Sequence, residues 1–460
     1  METGIKGVFR RRYHLAFLMV FFLISFINKI TFINHPFFGL EYEDAFIYAD
    51  VGKSLNYQYD YKFQPLQANT CIDGSLSACR VTTTFGGHFI TFPLIVSYIN
   101  KLIGYSPYTI FGLNFVLSFL IILMVDQLTR LIYPDSFYRP FLPLLVLVTT
   151  PFINLFNTSG LAETFSSLSL LAFLFFFFKA LDDKFSPKSG FFWSSLFYLI
   201  LSILIKRENM LLVGAAPIVI LLMIAKKEFN KNMLKRVSIY FALTLIVLFA
   251  LTFLINFFQI EKQEGAMIAS QTFSIANLVR ILPLFWSSYF NFQLFGLTGV
   301  LVLIATWFVL FKPSDTRFNV IFILCVFYIL LYSSHYRSYY QIKFGDLTVF
   351  ETLRYSTNYF PLLCICLSAI PINQLTGKMK FTVGTCGLIY VTCAFFLSMN
   401  LRTKYSEDEY SQRIFPVKKT LALISENDVI VTDIPLIFHL FANDHQIIVD
   451  AYSTSIERIQ

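Results

Sequence analysis

The sequence predicts an all-α polytopic membrane protein, with interface helices in a first extracytoplasmic loop and a small α/β segment at the C-terminus. Three observations carry that prediction. Hydrophobic residues make up 56% of the 460 positions and charged residues 14%, with Phe alone at 55. Soluble domains carry roughly 25% charged residues, too many for this chain to match. The apolar residues also fall in runs of about 20, the length that crosses a bilayer, and about eleven such runs can be marked. Mean hydropathy is +0.64. Intrinsic disorder, a secreted disulfide scaffold and a soluble enzyme are excluded.

The expected spans are 14–34, 109–130, 140–157, 162–180, 191–205, 210–225, 237–258, 293–312, 318–334, 358–372 and 381–399. The first is apolar to its end with no small-residue cleavage site after it, so it reads as a retained span rather than a signal peptide. The stretch 88–104 is apolar but short and follows a polar loop, which fits a helix lying in the interface or a re-entrant one. Lys6, Arg10, Arg11 and Arg12 precede the first span and place the N-terminus in the cytoplasm of a cytoplasmic-membrane protein. The inner segments then hold a clear basic excess and the outer ones a slight acidic excess. The net charge of +8 is therefore the positive-inside bias and not a nucleic-acid footprint.

This divides the chain into a transmembrane domain, 1–400, and an extracytoplasmic C-terminal segment, 401–460. Within the first, residues 35–108 form a long outer loop, and 259–292 form a second outer region. In the tail, Asp428-Val429-Ile430-Val431-Thr432-Asp433 and Gln446-Ile447-Ile448-Val449-Asp450 read as short strands around a helix-like segment.

The chemistry concentrates at the outer edge. Glu41, Glu43 and Asp44 put three carboxylates within four residues, just past the first span. Crowded carboxylates raise one another's pKa unless a cation compensates. That property suits a general base or a divalent-cation site, and an acidic turn in solvent is the other reading. The pattern from Ala45 to Leu55 is helical, so the acids would start an amphipathic helix. Lys206 and Arg207 lie between two apolar runs on the outer side, where topology disfavours positive charge; phosphate binding and snorkelling to headgroups both fit. Arg354 sits just before a late span and offers the same choice. Glu163 begins a span, where it could face a cavity or simply favour the helix start. His88 follows Gly86-Gly87 and could join the acids at a cation. Cys325, Cys364, Cys366, Cys386 and Cys393 sit in apolar runs as small core residues. Cys71 and Cys79 lie in a polar outer loop, where a disulfide or two free thiols are both open. Walker patterns, phosphate-binding Gly loops and repeats are absent from the sequence.

The order of these features resembles the GT-C superfamily of polyprenyl-phosphate-sugar-dependent glycosyltransferases, including the protein O-mannosyltransferase, lipid A aminoarabinose transferase and arabinofuranosyltransferase-like families. The resemblance rests on Glu43-Asp44-Ala45-Phe46-Ile47-Tyr48 after the first span, then Gly87-His88-Phe89-Ile90-Thr91-Phe92-Pro93-Leu94 and Lys101-Leu102-Ile103-Gly104-Tyr105-Ser106-Pro107. It continues in Ser159-Gly160-Leu161-Ala162-Glu163-Thr164, Leu204-Ile205-Lys206-Arg207-Glu208-Asn209 and Leu353-Arg354-Tyr355. It covers roughly 1–225, and 226–400 as a hydropathy pattern. Glu43-Asp44 stands where many members have Asp-Asp or Asp-Glu, and the 71–82 insertion stands where many have a shorter link.

The resemblance implies a transfer of sugar from a polyprenyl-phosphate donor to a glycan, lipid or protein acceptor outside the membrane, with no nucleic-acid partner. It implies Asp44, or Glu43 in its place, as the catalytic acid, with or without a divalent cation. Arg207, Lys206 and Arg354 would then bind the lipid phosphate, and Glu163, Glu41 and His88 would line the substrate site. Two alternatives stand beside it. One is an O-antigen-type polymerase or ligase. The other is a transporter of lipid-linked glycans, which the nearly charge-free spans disfavour.

Overall fold

The computed structural model describes residues 2–33, 48–49, 91–134, 136, 138–226, 231–257, 275–311, 315–334, 341–344, 347–372, 377–409, 415–425, 428–432, 441 and 447–450. These residues are mostly helical. Six helices are long and apolar enough to cross a membrane, and shorter apolar helices accompany them. The protein is a multi-pass membrane protein.

Helix α1 (Glu2–Ile33) carries the first apolar run. A short amphipathic helix, α2 (Thr91–Ile103), falls inside the stretch read as interfacial. It buries Phe92 and Val96 and exposes Tyr98, Leu102 and Ile103, and Gly104 with φ of 90° ends it. Helix α3 (Thr109–Ile132) follows. The expected single span 140–157 is instead two helices, α4 (Phe141–Thr149) and α5 (Pro151–Asn157). Pro151 is the cause. The residue before a proline avoids helical backbone, and Thr150 is extended, with φ −71° and ψ 113°. Pro151 then starts α5, where a missing N–H costs nothing.

Next come α6 (Glu163–Asp182) and α7 (Gly190–Ile205), the latter capped by Ser189. The run expected at 210–225 begins as a 3-10 turn, Arg207–Gly214, and becomes α8 (Ala215–Ala225). Helix α9 (Lys231–Phe257) matches the next run. Region 259–292, read as an outer loop, contains the apolar helix α10 (Ile275–Ser288), which buries Ile281 and Phe285. The run 293–312 is broken into α11 (Phe292–Phe295) and α12 (Thr298–Phe311). Gly296 makes that break at φ 56°, and a Cβ there would collide with the Tyr390 hydroxyl. The same hydroxyl accepts from the Leu297 N–H at 3.3 Å.

Helix α13 (Thr316–Ser334) leads to the antiparallel hairpin β1 (Gln341–Phe344) and β2 (Leu347–Phe350), in which Gln341 faces Phe350. A 3-10 turn, Glu351–Tyr355, enters α14 (Ser356–Cys366), and α15 (Gly377–Glu409) follows. In the C-terminal segment α16 (Phe415–Leu421) precedes β3 (Val429–Thr432) and β4 (Ile447–Asp450), which pair in parallel. Those strands fall on the two short apolar runs read as strands.

The spans are less free of charge than the sequence reading allowed. Asp126 in α3 is wholly buried; its carboxylate meets His14 Nε2 at 2.8 Å and Arg130 Nε at 3.0 Å. Lys29 in α1 is 2% exposed and donates to Ser25 and Ser118 hydroxyls at 2.9 and 2.8 Å. Asn28 beside it donates to the Val148 carbonyl. Each polar group finds a partner on a neighbouring helix, as hydrocarbon surroundings demand. These contacts stitch α1 to α3 near both ends, so they serve packing.

Candidate functional site

Among the described residues, two hydrophobic clusters of buried side chains stand out. The large one fills the bundle. The small one lies at the end where α6 starts and α7 stops. It joins Tyr48 and Ala49, Phe92 and Val96 of α2, Ile110 and Phe111 of α3, Ala162, Ile205, and Val417 and Ile430 of the C-terminal segment. Tyr48 meets Phe92 edge-on, with ring centroids 5.6 Å apart. Ala162 and Ile205 are the chain neighbours of Glu163 and Lys206, so this cluster seats both.

Backbone ties hold the same region. Thr91 donates its hydroxyl to the Leu204 carbonyl at 2.9 Å, pinning α2 to the end of α7. Asn114 donates to the Ser159 and Leu161 carbonyls and fixes the turn that delivers Glu163. From the last turn of α7 the chain turns extended at Lys206, with φ −147° and ψ 121°. That extended residue swings its side chain toward α6. Lys206 Nζ donates to Glu163 Oε1 at 2.9 Å; the two side chains are 12% and 4% exposed. The ammonium also lies 4.1 Å from the centre of the Tyr355 ring. Burial by itself pulls the Lys206 pKa down. The carboxylates of Glu163 and Glu208, with Tyr355, outweigh it, and the net shift is upward.

Arg354 reaches the same ring from its own 3-10 turn. It is 3% exposed, its guanidinium carbon is 4.9 Å from the Tyr355 centroid, and Nη2 donates to the Tyr355 hydroxyl at 3.1 Å. Tyr355 thus lies against two cations. Behind it Tyr332, Tyr359 and Tyr328 continue as a near-parallel column, with centroid spacings of 5.3 to 5.8 Å.

Of the residues singled out in the sequence, Lys206, Glu163 and Arg354 come together in this corner. Arg207 is exposed and begins the 3-10 turn beside it. Glu41, Glu43, Asp44 and His88 lie outside the described residues, as do Cys71 and Cys79. Among the described residues no group of three His, Cys, Asp or Glu side chains could hold a metal ion. Sequence reasoning assigned no role to Tyr355 or Asn209, although both stand in the motifs that carried Arg354 and Lys206. The signal available was adjacency alone.

The arrangement of helices is shared with solved structures of two other proteins. The structure of ArnT from Cupriavidus metallidurans bound to undecaprenyl phosphate matches with a TM-score of 0.60 at 12% identity, covering 93% of this chain and 85% of that one. The Archaeoglobus fulgidus oligosaccharyltransferase complexed with Zn and sulfate matches at 0.53 and 13% identity, over 94% of this chain and 62% of that one. The same archaeal enzyme, AglB, with an inhibitory peptide and a dolichol-phosphate matches at 0.53 and 11% identity, over 97% and 65%. This chain therefore spans less than two thirds of the archaeal protein. No family model matches the chain, and no curated protein matches its sequence.

Proposed function

We propose that the protein is an inverting membrane glycosyltransferase that moves a sugar from a polyprenyl-phosphate donor to a glycan, lipid or protein acceptor outside the cytoplasmic membrane. The observation that carries this reading is the corner formed by Lys206, Arg354 and Tyr355, with Glu163 as counter-ion, at the end of the bundle that the charge bias assigns to the outside. A partly buried lysine and a buried arginine sharing one ring would form an anion-binding pair set against apolar helices. A lipid phosphate has its charge at the membrane surface and its tail in hydrocarbon, and this corner suits both. Lys206 supplies a point charge, and Arg354 a fork that can take two phosphate oxygens. Arg207, exposed beside the corner, is a third cation of the region.

The chemistry then balances simply. An acceptor hydroxyl attacks the anomeric carbon from the face opposite the phosphate. The carbon–oxygen bond to phosphate breaks, and its electron pair leaves on the polyprenyl phosphate. The hydroxyl proton passes to Asp44, with Glu43 as the alternative base. Lys206 and Arg354 stabilise the charge gained by the leaving phosphate. In sequence Asp44 precedes the buried Tyr48 by four positions. Glu41, Glu43, Asp44 and His88 are the oxygen and nitrogen donors that a divalent cation would take.

The test is transfer or slow donor hydrolysis by the purified protein with a panel of polyprenyl-phosphate sugars. One donor should lose its sugar with wild type and keep it with Asp44→Asn, the variant remaining folded. Full activity in Asp44→Asn would remove Asp44 from the mechanism. Unchanged donor affinity in Arg207→Ala would return that residue to a headgroup role.

A further inference from the structure

Glu163, Lys206 and Arg354 hang from three separate segments, and their meeting needs those segments held in register. We propose that Asn209 is the residue that does this: a positioning residue for the donor-phosphate corner, acting through Lys206 and Arg354. The inference rests on the reading of that corner given above.

Asn209 is wholly buried. Its Nδ2 donates to Ser166 Oγ at 2.8 Å and to the Ser202 carbonyl at 2.9 Å. Its Oδ1 accepts from the Tyr328 hydroxyl at 2.8 Å and from Asn358 Nδ2 at 3.0 Å. A side-chain amide has two N–H donors and two acceptor lone pairs, so its capacity is fully used. Ser166 Oγ in turn donates to Asn358 Oδ1 at 2.7 Å. Asn209, Ser166 and Asn358 therefore form a closed ring in which every group gives one hydrogen bond and takes one. Such a ring polarises its own members and is strengthened by being dry.

The positions of the partners decide what the ring does. Ser166 lies one turn after Glu163 on α6. Ser202 lies one turn before Lys206 on α7. Asn358 lies one turn after Arg354, across the junction with α14. Asn209 itself is three residues after Lys206. Glu163 and Ser166 share a face of α6, while the Lys206 N–H donates to the Ser202 carbonyl at 3.0 Å and the Asn209 N–H donates to the Lys206 carbonyl at 3.1 Å. The ring is thus tied to the segments that carry the corner. Tyr328 adds the aromatic column that ends at Tyr355. A network serving packing alone has no need to fall one turn from all three.

The test uses the full-length protein in detergent and binding of undecaprenyl phosphate, read by native mass spectrometry, for wild type, Lys206→Gln, Asn209→Ala and the double variant. Asn209→Ala should weaken binding about tenfold, and the double variant should bind no more weakly than the weaker single variant, since coupled residues are non-additive. A loss through general destabilisation would instead multiply with the loss from Lys206→Gln, and that result overturns the proposal. So does wild-type affinity in Asn209→Ala. Should Asn209→Ala not fold, Ser166→Ala breaks one link of the ring; it should weaken binding about threefold in the same non-additive way, and wild-type affinity there has the same force. If Lys206→Gln binds like wild type, the donor-site reading itself fails; if it alone is impaired, only the role of Asn209 fails.

Discussion

Two lysines, Lys29 buried and Lys206 partly buried, sit in different company. Lys29 sits inside α1 at 2% exposure, held by two neutral hydroxyls and 5.5 Å from the Phe119 ring centre. Lys206 sits between two helices with a carboxylate at 2.9 Å and a tyrosine ring at 4.1 Å. Lys29 is enclosed by side chains of α1 and α3, so it joins helices. Lys206 keeps 12% of its side chain exposed and has Arg354 across the same ring. Under the proposed function, that pairing of two cations is what separates Lys206 from a packing lysine.

The largest effect expected from this comparison is on Lys206. Lys206→Gln should lower donor turnover by about 100-fold, the scale of losing a partly desolvated charge-assisted contact. Activity within a few-fold of wild type would place Lys206 with Lys29 as a packing residue. Glu163→Gln comes next. It leaves the Lys206 ammonium without its carboxylate, and should cost about 3 kcal/mol of stability, the low end for breaking a buried pair. Thermal unfolding in detergent checks this, and an unchanged midpoint would show that the pair is not a structural anchor.

Lys29→Met should matter less. A hydrophobic residue of similar length can replace a buried polar contact at a cost below about 1.5 kcal/mol, with donor turnover retained. Loss of turnover in a folded Lys29→Met protein would instead make Lys29 part of the chemistry. The smallest effect concerns pH. The folded pKa of Lys206 lies above its unfolded value, so its contribution to stability is complete below about pH 10.4 and is lost only as pH rises through the folded value. The stability difference between wild type and Lys206→Met should stay flat from about pH 6 to 9 and shrink only in stronger base. A change within that neutral window would mean that Lys206 is not held charged by Glu163.

Much of the site was legible in one dimension because membranes make charge conspicuous. Lys206, Glu163 and Arg354 stand out where apolar runs begin or end, and they converge in the structure. Lys29 and Asp126 were as conspicuous in principle, each a charge within an apolar run, yet hydropathy averaged them away. Asn209 and Asn358 carried no such mark. Amides at span ends are common, and only a count of hydrogen-bond partners distinguishes these two.

The sequence by itself determined that the chain must cross a membrane many times, because apolar runs of that length have no other way to leave water. It also determined the position of helix breaks such as Pro151, since a proline restricts the residue before it wherever it occurs. Tertiary structure alone decided which charges meet. Glu163 and Lys206 are 43 residues apart, and Arg354 lies far beyond both. Their contact depends on how α6, α7 and the turn before α14 pack, and helix packing is set by side-chain shape and by buried polar partners that no local pattern records. It also brought Tyr390, from a distant helix, against Gly296, where the positive φ already favours glycine.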